Sequence, residues 1–169
     1  MKVRTVNPEI SIMSQSSSKS EPYWSPSFPS STNLGFNVHN YYFAYRLTES
    51  DTDSSVVCND AKLSAVGGKV PVFVGGWSIQ TASDSKFANR ENNLNTGLFA
   101  FGKCTQSSAY WIAKLSGDMK VDGEGVQGDY WDWGTFVDLG YVNAREGARC
   151  CARESVRSDG GRREREKYN

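Results

Sequence analysis

Three short apolar runs, each followed by a stretch of helical spacing or a loop, organise the chain between Leu34 and Val142. LGFNVHNYYFAY reads as a strand that ends near His39. SSVVCNDAKLSAV then sets Val56, Val57, Ala61 and Ala65 at helical spacing, and Gly67 and Gly68 stop it. VPVFVGG is β-branched and closed by glycines, as a buried strand is. A second helix follows, with Phe87, Leu94, Leu98 and Phe101 on one side. SSAYWIAKL is the next strand, and SGDMKVDGEGVQGD a Gly- and Asp-rich loop. YWDWGTFVDLGYV predicts a last helix that buries Phe136, Val137 and Leu139–Tyr141. Strands alternating with helices imply an α/β fold with a parallel sheet covered by helices. Three such units do not close a ring, because a (β/α)8 barrel takes about 250 residues.

The flanks have another character. Residues 1–34, with SQSSSKSEPYWSPSFPSSTN, read as an irregular lead-in from which Tyr23, Trp24 and Phe28 can dock. Residues 35–143 hold the patterned domain. Residues 144–169 carry eight Arg or Lys against five Asp or Glu and almost no apolar residue, which reads as a basic, solvated tail. The interspersed acids weaken a nucleic-acid arm, and the formal net charge of zero gives no global field toward nucleic acid or an acidic membrane. No apolar run approaches the length of a spanning helix, and the first 20 residues lack the apolar centre of a secretory signal.

The cysteines are Cys58, Cys104, Cys150 and Cys151, whose spacing matches no zinc site. Spacing leaves open a Cys58–Cys104 bridge or buried free thiols, of which free thiols are the preferred expectation.

Three segments carry a family resemblance: FNVHNYYFAYR (36–46), VPVFVGGWSIQ (70–80) and QSSAYWIAKLSGDMKVDGEGVQGDYWDW (106–133). In this order and spacing they resemble the C-terminal part of fungal glycoside hydrolases of family 5, of the exo-β-1,3-glucanase type. The resemblance implies a partial (β/α)8 TIM barrel, about its last three β/α units, with no cofactor or metal. It also implies β-glucan as the ligand and an extracellular or cell-wall setting.

Such enzymes work with two glutamates, and retention needs the carboxyls about 5–5.5 Å apart. The family's nucleophile lies in a Val-Gly-Glu-Trp-Ser motif. This chain has Val74, Gly75, Gly76, Trp77 and Ser78, so Gly76 takes the nucleophile position. The general acid belongs to an Asn-Glu-Pro motif, which does not occur in the sequence. The resemblance assigns His39 and Tyr41, the family's His-x-Tyr, to orienting the nucleophile and the sugar. Trp111 matches the tryptophan that floors the sugar subsite, where an indole meets the C–H face of a pyranose. Trp77 is expected to pack rather than bind. Cys104 stands where the family usually has an aromatic. The acidic loop of Asp118, Asp122, Glu124 and Asp129 fails the calcium-loop spacing, and its glycines make it a long turn.

The expectation is therefore a truncated glycosidase without its catalytic acids and without activity as this chain. A non-catalytic β-glucan-binding protein and a non-functional gene remnant are the other readings.

Overall fold

A computed structural model describes residues 9–16, 19–28, 33–45, 47–143 and 150 of the 169. The elements run β1 (Ile12–Gln15), α1 (Glu21–Trp24), a 3-10 turn (Ser25–Ser27), β2 (Leu34–Asn40), α2 (Tyr42–Tyr45) and α3 (Asp53–Ala65). They continue with β3 (Val72–Trp77), a 3-10 turn (Phe87–Asn89), α4 (Arg90–Cys104), β4 (Ser107–Tyr110), α5 (Gly128–Trp131) and α6 (Trp133–Asp138). The four strands form one sheet in the order β1-β2-β3-β4, and every neighbouring pair is parallel. This parallel α/β sheet is consistent with part of a (β/α)8 barrel.

One face of the sheet makes the core. Leu34, Phe36 and Val38 of β2 and Val72 and Val74 of β3 are buried in one cluster with Val57 and Ala61 of α3 and Leu94, Ala100 and Phe101 of α4. Period-2 alternation in the strands and helical spacing in α3 and α4 bring these positions together. Each fully buried Leu or Phe here contributes about 1.5–3 kcal/mol of transfer free energy. At the end of α3, Gly68 has φ +61°, a left-handed conformation that favours glycine and turns the chain toward β3.

Four expectations need correction. The irregular lead-in of 1–34 contains β1, whose Ile12 pairs with Leu34, so the sheet has four strands rather than three. Trp24 and Phe28 do dock: the Trp24 indole N–H donates to Ser16 O at 2.8 Å, and the Phe28 ring lies 6.2 Å from that of Phe36. Tyr23 stays exposed.

The strand SSAYWIAKL stops at Tyr110. Its chain then leaves the sheet, with the Ile112 N–H donating to Trp131 O and the Trp133 N–H to Ile112 O.

The single last helix is two short ones, α5 and α6, separated at Asp132, where ψ is 105°. Phe136 is fully buried, but Val137 and Leu139 are about half exposed, because the break re-aims the second piece.

The free-thiol expectation also fails: Cys58 is bonded to Cys150 with a Cα separation of 4.9 Å, and Cys104 is disulfide-bonded too. The rest of the 144–169 tail lies outside the described residues.

Candidate functional site

Parallel strands present all their C-terminal ends on one side, and the residues singled out in the sequence gather there. β2 ends at His39 and Asn40, β3 at Gly76 and Trp77, and β4 at Tyr110, followed by Trp111. The register sets His39 opposite Gly76, while Val38 is opposite Val74. Gly75 is thus one extra residue on β3, a bulge that turns the glycine after it.

The effect of that bulge is visible in what a side chain would meet. A Cβ on Gly75 would collide with the Asn37 amide. A Cβ on Gly76 would collide with the Tyr41 hydroxyl, 3.2 Å from Tyr41 Cζ and 3.7 Å from His39 Cγ. The side-chain position at Gly76 therefore points between the imidazole and the phenol.

His39 and Tyr41 meet edge to face, with ring centroids 6.1 Å apart. An Asn37 amide nitrogen lies 3.3 Å from His39 Nε2. Tyr41 stacks on Trp131 at 5.5 Å with an interplanar angle of 7°, and Phe43 leans on both. The Trp131 indole N–H donates to Gln80 Oε1 at 2.6 Å. Asn37, Phe43, Gln80 and Trp131 were not singled out in the sequence. Asn37 had a signal, since strand alternation puts it on the same face as His39.

Trp111 is 48% exposed, and its backbone N–H donates to Trp77 O at 2.8 Å. The indole is thus held beside the end of β3 while its ring stays open to solvent. Trp77 is the opposite case. It is 1% exposed, packs against Gly97 and contacts Phe101 and Tyr110 at centroid distances of 5.2 and 4.8 Å. It belongs to the core, as expected. Tyr110 behind it donates its hydroxyl to Tyr130 O and accepts from the Ile79 N–H, and burial pushes its pKa well up.

A cleft of about 380 Å³ opens beside His39. Lys19, Tyr23, Asn40 and Asp60 are among its lining residues, so cation, phenol, amide and carboxylate all face one space.

The acidic loop is held by its own carboxylates. Glu124 Oε2 accepts from the Phe87 N–H at 2.7 Å, and Asp129 accepts from the Val126 N–H at 2.9 Å and pairs with Arg90 at 3.7 Å. Gly123, with φ +116°, passes so close to the Ser85 backbone that no side chain fits. Among the described residues no group of His, Cys, Asp and Glu has the arrangement of a metal site, and no helix is long and apolar enough to cross a membrane.

Several solved chains match this fold. The crystal structure of AoRut superposes with a TM-score of 0.77 at 47% identity, over 82% of this chain and 38% of that one. The rutinosidase from Aspergillus niger gives 0.79 at 42% identity, over 83% of this chain and 39% of that one. This chain is similar to part of a rutinosidase. No family model and no curated protein matches it.

The chain spans well under half the length of either neighbour. The neighbours are glycoside hydrolases, so the broad class expected from the sequence stands on them. Its exo-β-1,3-glucanase subtype does not.

Proposed function

We propose that this chain carries the nucleophile-side part of a retaining glycoside hydrolase pocket, of the family 5 kind, and binds a β-linked glycoside without cleaving it. The observation that carries this is Gly76. Its missing side chain points at Tyr41 and His39, the two groups suited to orient a carboxylate and a sugar hydroxyl. A glycine neither attacks an anomeric carbon nor carries charge, and a retaining glycosidase needs a carboxylate there. His39, Tyr41 and Trp111 are the substrate-binding residues of this reading. The indole of Trp111 supplies the apolar platform, the imidazole and phenol supply hydrogen bonds.

Two ligands compete. The sequence motifs favour a β-glucan chain end, and the neighbours' name favours a rutinoside. Identity of 42–47% to the neighbours across most of this chain makes the rutinoside the preferred ligand.

Titration of the purified chain with rutin and with laminarin, followed by tryptophan fluorescence, tests this. Saturable binding is expected with rutin, weakened about tenfold or more by Trp111→Ala. No reducing sugar is released from either compound. Release of sugar by the native chain, or no binding to either, would overturn the proposal. Tighter binding to laminarin would return the ligand to the glucan class.

A further inference from the structure

β3 carries two successive glycines before its last residue, and the first of them needs its own explanation. Gly75 does not adopt positive φ, so its backbone is open to any residue. What demands a glycine there is space. A Cβ on Gly75 would collide with the Asn37 amide, and Oδ1 is the atom it would meet first. Asn37 pairs with Phe73, two residues before Gly75, so its side chain reaches diagonally across to the bulge. Asn37 also shares a face of β2 with His39, two residues on. The glycine thus makes room for an amide, and the amide lies against the imidazole.

The two ends of that amide have different neighbours. Oδ1 faces the Gly75 Cα–H that a Cβ would replace, a weak donor. It is buried and has no hydrogen-bond partner among the described residues. Nδ2 lies 3.3 Å from His39 Nε2. Turning the amide over would set its N–H groups against the glycine C–H and give up that match. An amide nitrogen donates and does not accept, so Nε2 accepts. A neutral imidazole that accepts at Nε2 carries its proton on Nδ1.

We infer that Asn37, seated on Gly75, is a positioning residue: it holds the neutral His39 ring in the tautomer with its proton on Nδ1, so that Nδ1 donates to an oxygen of the ligand. The donation to a ligand rests on the glycoside reading above; the place of the proton does not.

His39 is the only histidine of the chain, so a long-range proton–nitrogen correlation spectrum contains a single imidazole. Recorded on the free native chain at about pH 8, above the ordinary imidazole range, it is expected to show Nδ1 protonated and Nε2 bare. Asn37→Asp replaces the donor by an acceptor at almost unchanged volume, and is expected to put a proton on Nε2. Gly75→Ala leaves both side chains chemically intact but pushes the amide aside, and is expected to leave the ring exchanging between tautomers. An Asn37 that only packs would predict neither change. In the rutin titration, Asn37→Asp is expected to weaken binding about three- to tenfold, the worth of one hydrogen bond.

A native ring protonated on Nε2 overturns the inference, and so does a tautomer unchanged in both variants. The native spectrum decides should either variant fail to fold. A moved proton with unchanged rutin affinity overturns the donor role in binding. A native chain that binds no glycoside overturns the proposed function instead, and the spectrum then decides the inference by itself.

Discussion

Gly76 is where the chemistry of this fold turns. The Tyr41 ring fills the space that a side chain at 76 would need, and it is held there by its stack on Trp131. Gly76→Glu is therefore expected to do two things. It displaces Tyr41 and lowers stability by about 1–3 kcal/mol, as overpacking does. It is also expected to give no hydrolytic turnover, because the sequence holds no Asn-Glu-Pro motif to supply the partner acid. Urea unfolding and a sugar-release assay with rutin check both; clear turnover by the variant would contradict the account.

A second residue sets a pH dependence. Asp53 opens α3 fully buried, and neither of its carboxyl oxygens has a hydrogen-bond partner among the described residues. Burial, with Asp60 adding repulsion, pushes its pKa from 3.8 up to about 8. The unfolded chain releases this proton near 3.8 while the folded chain holds it, so the unfolded state binds fewer protons across that window. Stability then falls as pH rises from about 4 to about 8, and the loss is complete above the folded value. Asp53→Asn mimics the protonated group. Its melting temperature is expected to change less between pH 4 and 8 than that of the native chain, measured by circular dichroism.

Among the elements, the C-terminal helices show how one side chain decides a boundary. Asp132 leaves helical geometry, and its Oδ1 accepts from the Thr135 N–H at 3.1 Å, which caps α6. Its Oδ2 accepts from the Leu115 N–H at 3.3 Å, which ties the segment just before the acidic loop to the same point. Asp132→Ala is expected to cost about 0.5–2 kcal/mol, read from urea unfolding. The apolar spacing of YWDWGTFVDLGYV is helical and gave one helix as the expectation. The cap won because a carboxylate that satisfies the N–H of a new first turn also starts a new helix there. The glycine pair in β3 was legible as a strand end. That it forms a bulge was not, because a bulge exists only relative to the partner strand.

At the scale of the molecule, the Cys58–Cys150 bond joins α3 to a residue 92 positions away. It constrains the unfolded chain over a long loop and is expected to contribute about 2–4 kcal/mol. Cys58→Ser should lower unfolding stability by that amount in non-reducing buffer, and the native chain in dithiothreitol should lose at least as much, because Cys104 is disulfide-bonded too. Equal stability of native and variant chains would show that the bond does not form.

Local pattern alone determined a good part of this protein. The order of β2, α3, β3, α4 and β4 follows from periodicities of two and 3.6 in neighbouring residues, and the presence of His39, Tyr41, Trp111 and a glycine at 76 is a matter of residue identity. Only the assembled structure decided the rest. β1 is four residues long and half polar, so it becomes a strand through Leu34 and its neighbours rather than through its own composition. The aim of Gly76 at Tyr41, the stack of Tyr41 on Trp131 and the partner of Cys58 likewise depend on residues distant in sequence. Each is fixed by which surfaces exclude water together, and that is a property of the folded chain.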